Sequence, residues 1–403
     1  MYYYYFKRLF PEDVLVYIEE YDKVNKQVIL DFIDDGEYQA FVSLIKQSKN
    51  NKNASMMVLR DYQQRNVQEN TIYAIKRDVI NEWVEDGSLV VSNGETSLLI
   101  GYTVNLKKDI PVFNLSISLG GYEGVTFDFS EPQNHQIENL DLAFKGKIEV
   151  VVRDVGQGSW NEITNDGSVK IVYDIGCSVK ANANDVRKLV NKKLPLYIKS
   201  KPGLIISHWD KDHYHCLLGM SDEELSLFSY VICRAYTPNN TSQRLLEKLI
   251  RNIGRDNVYT FAHMAPVAGP VRLCLVNSPN NQLLIFNGQY NKNRNISGII
   301  LALRTSSSSV VFSADTRYDQ LSKDVLPFLN YKNYHYLIVP HHGGHAGPYL
   351  YEMFHSTLIH TAVISVGENT YRHPLDYYLN SLRTEWPRIK ETRFEGDISL
   401  TLI

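Results

Sequence analysis

The sequence predicts a layered α/β protein preceded by a smaller α+β unit, and three observations predict it. The first is length: 403 residues exceed what one hydrophobic core commonly holds, so two units is the natural division. The second is the placement of histidine, with none of the 12 before His135 and the last at His373. The third is a change of pattern. Beyond residue 141, apolar runs of strand type are separated by helical or loop segments, hairpin-like at first and alternating with helices later. That succession suggests two sheets, each covered by helices.

The first unit, residues 1–140, opens with aromatic and β-branched residues around Val14–Ile18 and Val28–Ile33. A helix is expected over residues 71–87, ending at Gly87. Strand material at Ser88–Val91 should turn at Asn93-Gly94, a favourable hairpin dipeptide, into Ser97–Leu106. No group of metal ligands and no nucleophile-plus-base pair stands out here, so the expected role is recognition or regulation, with a protein partner as one candidate. Phe129–Asp141, polar and containing Pro132, is the expected linker.

In the second unit, residues 141–403, strands are expected at Ile148–Val152, Lys170–Tyr173, Leu204–Ile206, Tyr230–Cys233, Arg272–Val276, Gly298–Leu303, Val310–Phe312, Tyr336–Val339 and Ala362–Ser365. Helices are expected at Asp185–Lys193, Ser242–Asn252, Tyr318–Leu326, Tyr349–His355 and Leu375–Trp386. Ser306–Ser309 reads as a solvated turn.

Composition narrows the function classes. Hydrophobic residues at 44% and charged residues at 22% are ordinary for a globular protein. A net charge of −3 argues against a basic nucleic-acid footprint over the whole surface, while leaving room for a local basic rim. The start, MYYYYFKRLF, lacks the apolar centre of a signal peptide, and no run approaches the roughly 20 apolar residues of a membrane helix. Cys177, Cys216, Cys233 and Cys274 form no CxxC pair, so neither a disulfide framework nor a thiolate zinc cage is indicated. The expected setting is a reducing cytoplasm with no membrane contact.

Chemistry concentrates at His208-Trp209-Asp210-Lys211-Asp212-His213, directly after the apolar run Gly203–Ser207. Imidazole and carboxylate at such spacing can converge on one point where a strand leaves its sheet, and together they suit Zn²⁺ or Mn²⁺. Three further strand ends repeat the context: Asp315 after Ser308–Ala314, His341-His342 and His345 after Tyr336–Pro340, and His373 after Ala362–Arg372.

These residues resemble the metallo-β-lactamase-fold hydrolases, above all the ComEC-type subgroup that carries HxDxDH and includes phosphorylcholine esterases. HxDxDH is matched by His208, Asp210, Asp212 and His213. A DVGQG turn stands at Asp154–Gly158, DxG at Asp174–Gly176, the bridging-aspartate motif at Ser313–Asp315, PHHG at Pro340–Gly343 and SVGxNxYxHP at Ser365–Pro374. The resemblance covers about residues 147–403 and implies an αββα sandwich following the α+β unit. It also implies two divalent ions, Zn or Mn. His208 and Asp210 would hold one, Asp212 and His213 the other, with Asp315 bridging and His342, rather than His341, completing the set. Asp174 would orient the ligand loop from behind. Asp212, Asp315 and His373 would carry the chemistry, His373 as a ligand or as a proton and oxyanion partner. His263, in a context matching no motif, reads as an ordinary loop histidine, and His215 and Cys216 either face the site or turn from it.

Two such ions activate a shared water, so metal-dependent hydrolysis is expected. No Cys–His or Ser–His–Asp arrangement competes in the sequence. Lys211, Arg317 and Arg372 lie within two residues of expected ligands or of His373, and an anionic substrate would offset their repulsion from the metals. They and Tyr371 are therefore the expected substrate contacts. The leading expectation is a phosphodiesterase or nuclease acting on DNA or RNA. A small phosphoester or cyclic nucleotide, or a non-enzymatic scaffold, is the alternative.

Overall fold

The computed structural model describes residues 12–44, 56–62, 67–69, 71–85, 89–91, 102–105 and 115–117 of the first unit. Of the second it describes Ile137, Leu140 and residues 143–402, except 263–268, 278–280, 292, 330–333, 348, 350–358, 370 and 386–387. His263, the Asn93-Gly94 turn and the expected helix at Tyr349–His355, Tyr349 apart, lie outside the described residues.

The first unit is α+β. Its strands are β1 (Asp13–Asp22), β2 (Gln27–Phe32), β3 (Met56–Arg60), β4 (Ile72–Lys76), β5 (Leu89–Val91), β6 (Tyr102–Asn105) and β7 (Leu115–Ile117), and they form one sheet in the order β5-β6-β3-β2-β1-β4-β7. Val14, Val16, Leu30, Phe32 and Met57 pack on Tyr38 and Phe41 of helix α1 (Asp35–Leu44) and on Ile80 and Trp83 of α2 (Arg77–Glu85). One expectation needs correction. The helix expected from residue 71 begins only at Arg77, because Ile72–Lys76 pairs with β1 as a buried strand. The expected β5–β6 pair forms, with Val91 opposite Tyr102.

The second unit holds two more seven-stranded sheets. One contains β8 (Ile148–Val152), β9 (Trp160–Asn165), β10 (Ser168–Ile175), β11 (Gly203–Ile205), β12 (Tyr230–Arg234) and β13 (Val258–Phe261), with the last strand, β21 (Ile398–Leu402), at its edge beside β8. The other runs in chain order from β14 (Leu273–Asn277) through β15 (Leu283–Gly288), β16 (Ile299–Arg304), β17 (Ser308–Phe312), β18 (Tyr334–Ile338) and β19 (Ile359–Ile364) to β20 (Ile389–Glu391). Alternation explains the layers. Ile171, Tyr173, Ile205 and Ile232 point into a core shared with the second sheet (Ile285, Leu301, Phe312), whereas Val172, Leu204, Ile206 and Val231 point to the other face. There they meet helices α3 (Ala183–Lys193), α4 (Pro195–Ser200), α5 (Lys211–Leu218) and α6 (Asn240–Ile253). Burial on both faces is why these strands read as unbroken apolar runs, each such side chain contributing about 1.5–3 kcal/mol.

Ile137 is fully buried in this core and Leu140 packs on it, so the expected linker is anchored to the second unit at that end. Ser308 and Ser309 are buried strand residues, not a solvated turn. β10, β11 and β12 are mutually parallel, as are β17, β18 and β19. Parallel strands release their C-terminal ends on one rim, and there the ligand-bearing turns gather.

Candidate metal centre

Asp315, just beyond β17, sits at the middle of the cluster. Its Oδ1 lies 3.1 Å from His213 Nε2, and its Oδ2 lies 2.6 Å from His341 Nδ1 and 3.8 Å from His208 Nε2. Asp212 extends the cluster, with Oδ2 3.3 Å from His342 Nε2 and Oδ1 3.9 Å from His213 Nε2. Two overlapping groups of potential ligands result, His208–His213–Asp315 and Asp212–His213–His342, each with its ligand atoms within 4.8 Å of one another. Asp210 Oδ2 approaches His208 Nε2 at 3.5 Å, at the edge of the first group.

The histidines are held from behind. His213 Nδ1 donates to Asp174 Oδ2 at 2.8 Å, and Ser207 donates to the same carboxylate through its N–H (2.8 Å) and its hydroxyl (3.0 Å). Ser207 Oγ is also 2.9 Å from His208 Nδ1, and His342 Nδ1 donates to the Ser365 carbonyl at 2.7 Å. With Nδ1 occupied, each Nε2 is left toward the cluster, the arrangement by which outer partners orient metal-binding imidazoles. The Nε2 atoms of His208, His213 and His342 are buried and carry no hydrogen bond. Such atoms are costly unless a ligand or metal takes them up. Burial opposes ionisation of Asp315, yet His341 and His213 beside it hold its carboxyl well below the ordinary range.

The backbone is committed to the same end. Of the ten non-glycine residues with left-handed φ among those described, Asp174, Ala314, His341, His342 and Arg372 lie on the site's turns. Each such residue costs on the order of 1–3 kcal/mol, and this clustering is typical of functional turns. Gly176 is required by proximity: a Cβ there would lie 1.6 Å from the Asp212 carbonyl oxygen. Gly156, at φ +75°, packs its Cα where a side chain on Gly367 would stand, joining the DVGQG turn to the late motif. Asp210 holds the N-cap position of α5 but makes no capping bond; its Oδ1 instead forms an ion pair with Arg294 Nη2 at 2.7 Å. Burial disfavours its charged form, but Arg294 and His208 outweigh that and lower its pKa.

A chamber of about 290 Å³ opens over the cluster, lined in part by Asp210, Asp212, Asp315, His341, His342 and His373. His373 is outside both ligand groups, its Nδ1 3.5 Å from Gln157 Nε2. Tyr371 lines the chamber. Of the three expected cations only Lys211 lines the chamber, with its side chain buried and its Nζ donating to the Val179 carbonyl. Arg317 turns to Asp319 at 2.8 Å, and neither it nor the exposed Arg372 reaches the chamber lining. Nearness along the chain did not become nearness in space, since the turns at Asp315 and His373 aim successive side chains apart.

Sequence reasoning missed three contributors. Arg294 pairs with Asp210, and two carboxylates of the first unit, Glu19 and Glu69, line the chamber. It also missed a Cys–His pair: Cys177 Sγ lies 3.5 Å from His215 Nδ1, but both are buried away from the chamber, and His215 Nδ1 also meets the Ser178 carbonyl. Cys216 donates to the Gly176 carbonyl, so neither His215 nor Cys216 faces the site. All four cysteines are free, and among the described residues no helix is long and apolar enough to cross a membrane. No protein-family model and no curated protein matches the chain.

Proposed function

We propose that the protein is a metal-dependent hydrolase of the metallo-β-lactamase type that acts on a phosphoester with two divalent ions, zinc or manganese. One observation carries the reading: three buried histidine Nε2 atoms that make no hydrogen bond converge with Asp212 and Asp315, while each opposite nitrogen is already engaged. Two seven-stranded sheets sharing one core, with helices outside and the cluster at their parallel strand ends, support the αββα sandwich. His208, Asp210, Asp212, His213, Asp315 and His342 would hold the ions, with Asp315 central to both sets. When bound, such ions lower the pKa of a shared water and neutralise charge on the attacked centre.

The chain's own residues do the rest. Asp174 and Ser207 fix the imidazoles so that no reorientation accompanies the reaction. Gln157 orients His373 at the chamber wall, where its ring can meet the departing oxygen or the phosphoryl group. The chamber volume of about 290 Å³ supports a small phosphoester over a polynucleotide. Hydrolysis of bis(4-nitrophenyl) phosphate, a cyclic nucleotide, DNA and RNA with Mn²⁺ and with Zn²⁺, side by side, tests this. Turnover of a small ester above the polymers is expected. No hydrolysis of any of them with either metal overturns the reading.

A further inference from the structure

A turn of the second unit stands between the first unit and the cluster. It is the 3₁₀ turn Arg294–Ser297, between β15 and β16, capped by the Asn293 side chain and tied down by Gln320, whose Nε2 donates to the Ile296 carbonyl at 2.9 Å. Two of its side chains reach the cluster. Asn295 Nδ2 lies 3.2 Å from His341 Nδ1, and Arg294 Nη2 forms the ion pair with Asp210 Oδ1. On its other side Arg294 meets the first unit: its guanidinium carbon stands 4.8 Å over the centre of the Tyr17 ring, and Glu19 faces it as well. Stacking and pairing use different parts of a guanidinium, its flat face and its N–H edge, so one arginine serves both partners at once.

Backbone register explains why Tyr17 is there. In β1, Val14, Val16 and Ile18 enter the core of the first unit, so Tyr17 points to the opposite face of the sheet. That face is docked on the second unit. Asp31, directly opposite Tyr17 on β2, accepts from the Thr241 N–H at 3.1 Å, and Tyr17 itself is buried. The alternation ends just beyond, where Glu19 is the extra residue of a β-bulge between Ile18 and Glu20.

Asp210 has a competing place to go. An aspartate at the N-cap normally turns its carboxylate onto the N–H groups of the helix's first turn, and at α5 that bond is not made. A carboxylate turned to the cap would point along α5. Pairing of Oδ1 with Arg294 instead leaves Oδ2 3.5 Å from His208 Nε2.

We propose that Arg294 and Tyr17 are positioning residues of the metal centre, a role that rests on the two-ion reading: Tyr17 stacks the guanidinium against Asp210, and the guanidinium draws that carboxylate off the helix cap toward the ion that His208 holds. The first unit is then part of the centre, since the affinity for one ion depends on an aromatic ring that this unit supplies.

The test reads metal binding rather than turnover. Zn²⁺ is titrated into the full-length, metal-free protein against a chromogenic chelator, which gives an affinity for each ion, and thermal unfolding without metal reports on the fold. Arg294→Met keeps the side-chain stem and loses the guanidinium; one ion should bind about 10- to 100-fold more weakly, the factor an outer partner carries, and the other should change by clearly less. Tyr17→Leu, which fills space without a π face, should weaken the same ion by about 3- to 30-fold, and Tyr17→Phe, which keeps the face, should bind as the wild type does. If Arg294→Met does not fold, the contrast between Leu and Phe decides alone. Wild-type affinity for both ions in Arg294→Met, or Tyr17→Phe as weak as Tyr17→Leu, overturns the positioning role and leaves the two-ion centre standing. Equal weakening of both ions alongside a lowered unfolding temperature, in Arg294→Met and Tyr17→Leu alike, marks a merely structural role and overturns it too. A wild-type chain that binds no Zn²⁺ removes the centre itself, and with it anything for Arg294 to position.

Discussion

The inner and outer walls of one chamber are built in different ways. The inner wall rises from the ends of parallel strands, and its side chains are braced by others: His213 by Asp174, Asp174 by Ser207, His342 by the Ser365 carbonyl. The outer wall comes from a separate sheet and rests on one bulged residue and one short turn, held by Asn239 and by the Tyr21 N–H. The inner residues answer to a geometry that tolerates little error, so residue type, spacing and backbone are all constrained. The outer residues, on the proposed function, would answer to a substrate rather than to the ions. On that reading, reactivity and selectivity would lie in different units of one chain, with Tyr17 and Arg294 as the link between them.

Substitutions should separate the two walls by size of effect. Asp315→Asn, at the centre of the cluster, should have the largest, lowering metal content and reducing kcat by more than the ~10- to 100-fold that loss of an outer partner costs. Elemental analysis and steady-state kinetics read both; full activity in this variant would remove Asp315 from its central role. Gly176→Ala should follow, because its methyl group collides with the Asp212 carbonyl. A stability loss of at least ~1–3 kcal/mol, together with weaker metal binding, is expected by thermal unfolding and metal titration. Asp174→Asn should weaken metal affinity by roughly 10- to 100-fold with little change in the fold, since asparagine also accepts the left-handed backbone there. A variant with wild-type affinity would show that the buried carboxylate braces nothing.

Smaller effects belong to the outer unit and the rim. Burial raises Glu20 from 4.5 to about 7, against Lys180. A folded-state pKa above the unfolded one means stability that is complete below about pH 4.5 and lost as pH rises through 7. Glu20→Gln should remove that loss, so its unfolding temperature relative to wild type should rise between pH 5 and pH 8; a constant difference would contradict it. Arg317→Ala should do least. Its side chain is 42% exposed and meets Asp319, so stability should change by no more than about 0.5 kcal/mol and kcat/KM by about twofold. A loss of tenfold or more on an anionic ester would restore the basic rim.

The contrast between the walls also explains what the sequence reveals. His208–His213, Asp315 and His341-His342 are legible because rare residue types follow apolar runs, and both features follow from strand-end geometry. Asp174 is legible only through the DxG motif of the family resemblance, and Gly176 explains that spacing. Glu19 is hidden, since a glutamate in a strand carries no mark of the bulge that turns it outward. β9 (Trp160–Asn165) is hidden for a related reason: Asn161, Glu162, Thr164 and Asn165 are buried polar residues, with Glu162 paired to Arg153 and Tyr197, so the strand lacks an apolar pattern. The first unit's wall depends on contacts made only after both units fold, among them Arg244 with Asp35 and the Thr241 N–H with Asp31.

The central claim is that the buried histidines and aspartates form one centre for two ions. Elemental analysis of the full-length protein after reconstitution with Zn²⁺ or Mn²⁺ tests it most directly, with His208→Ala and His342→Ala measured alongside. Two ions per chain in the wild type and fewer in each variant is the expected result. Less than one ion per chain in the reconstituted wild type, or two in both variants, would contradict it.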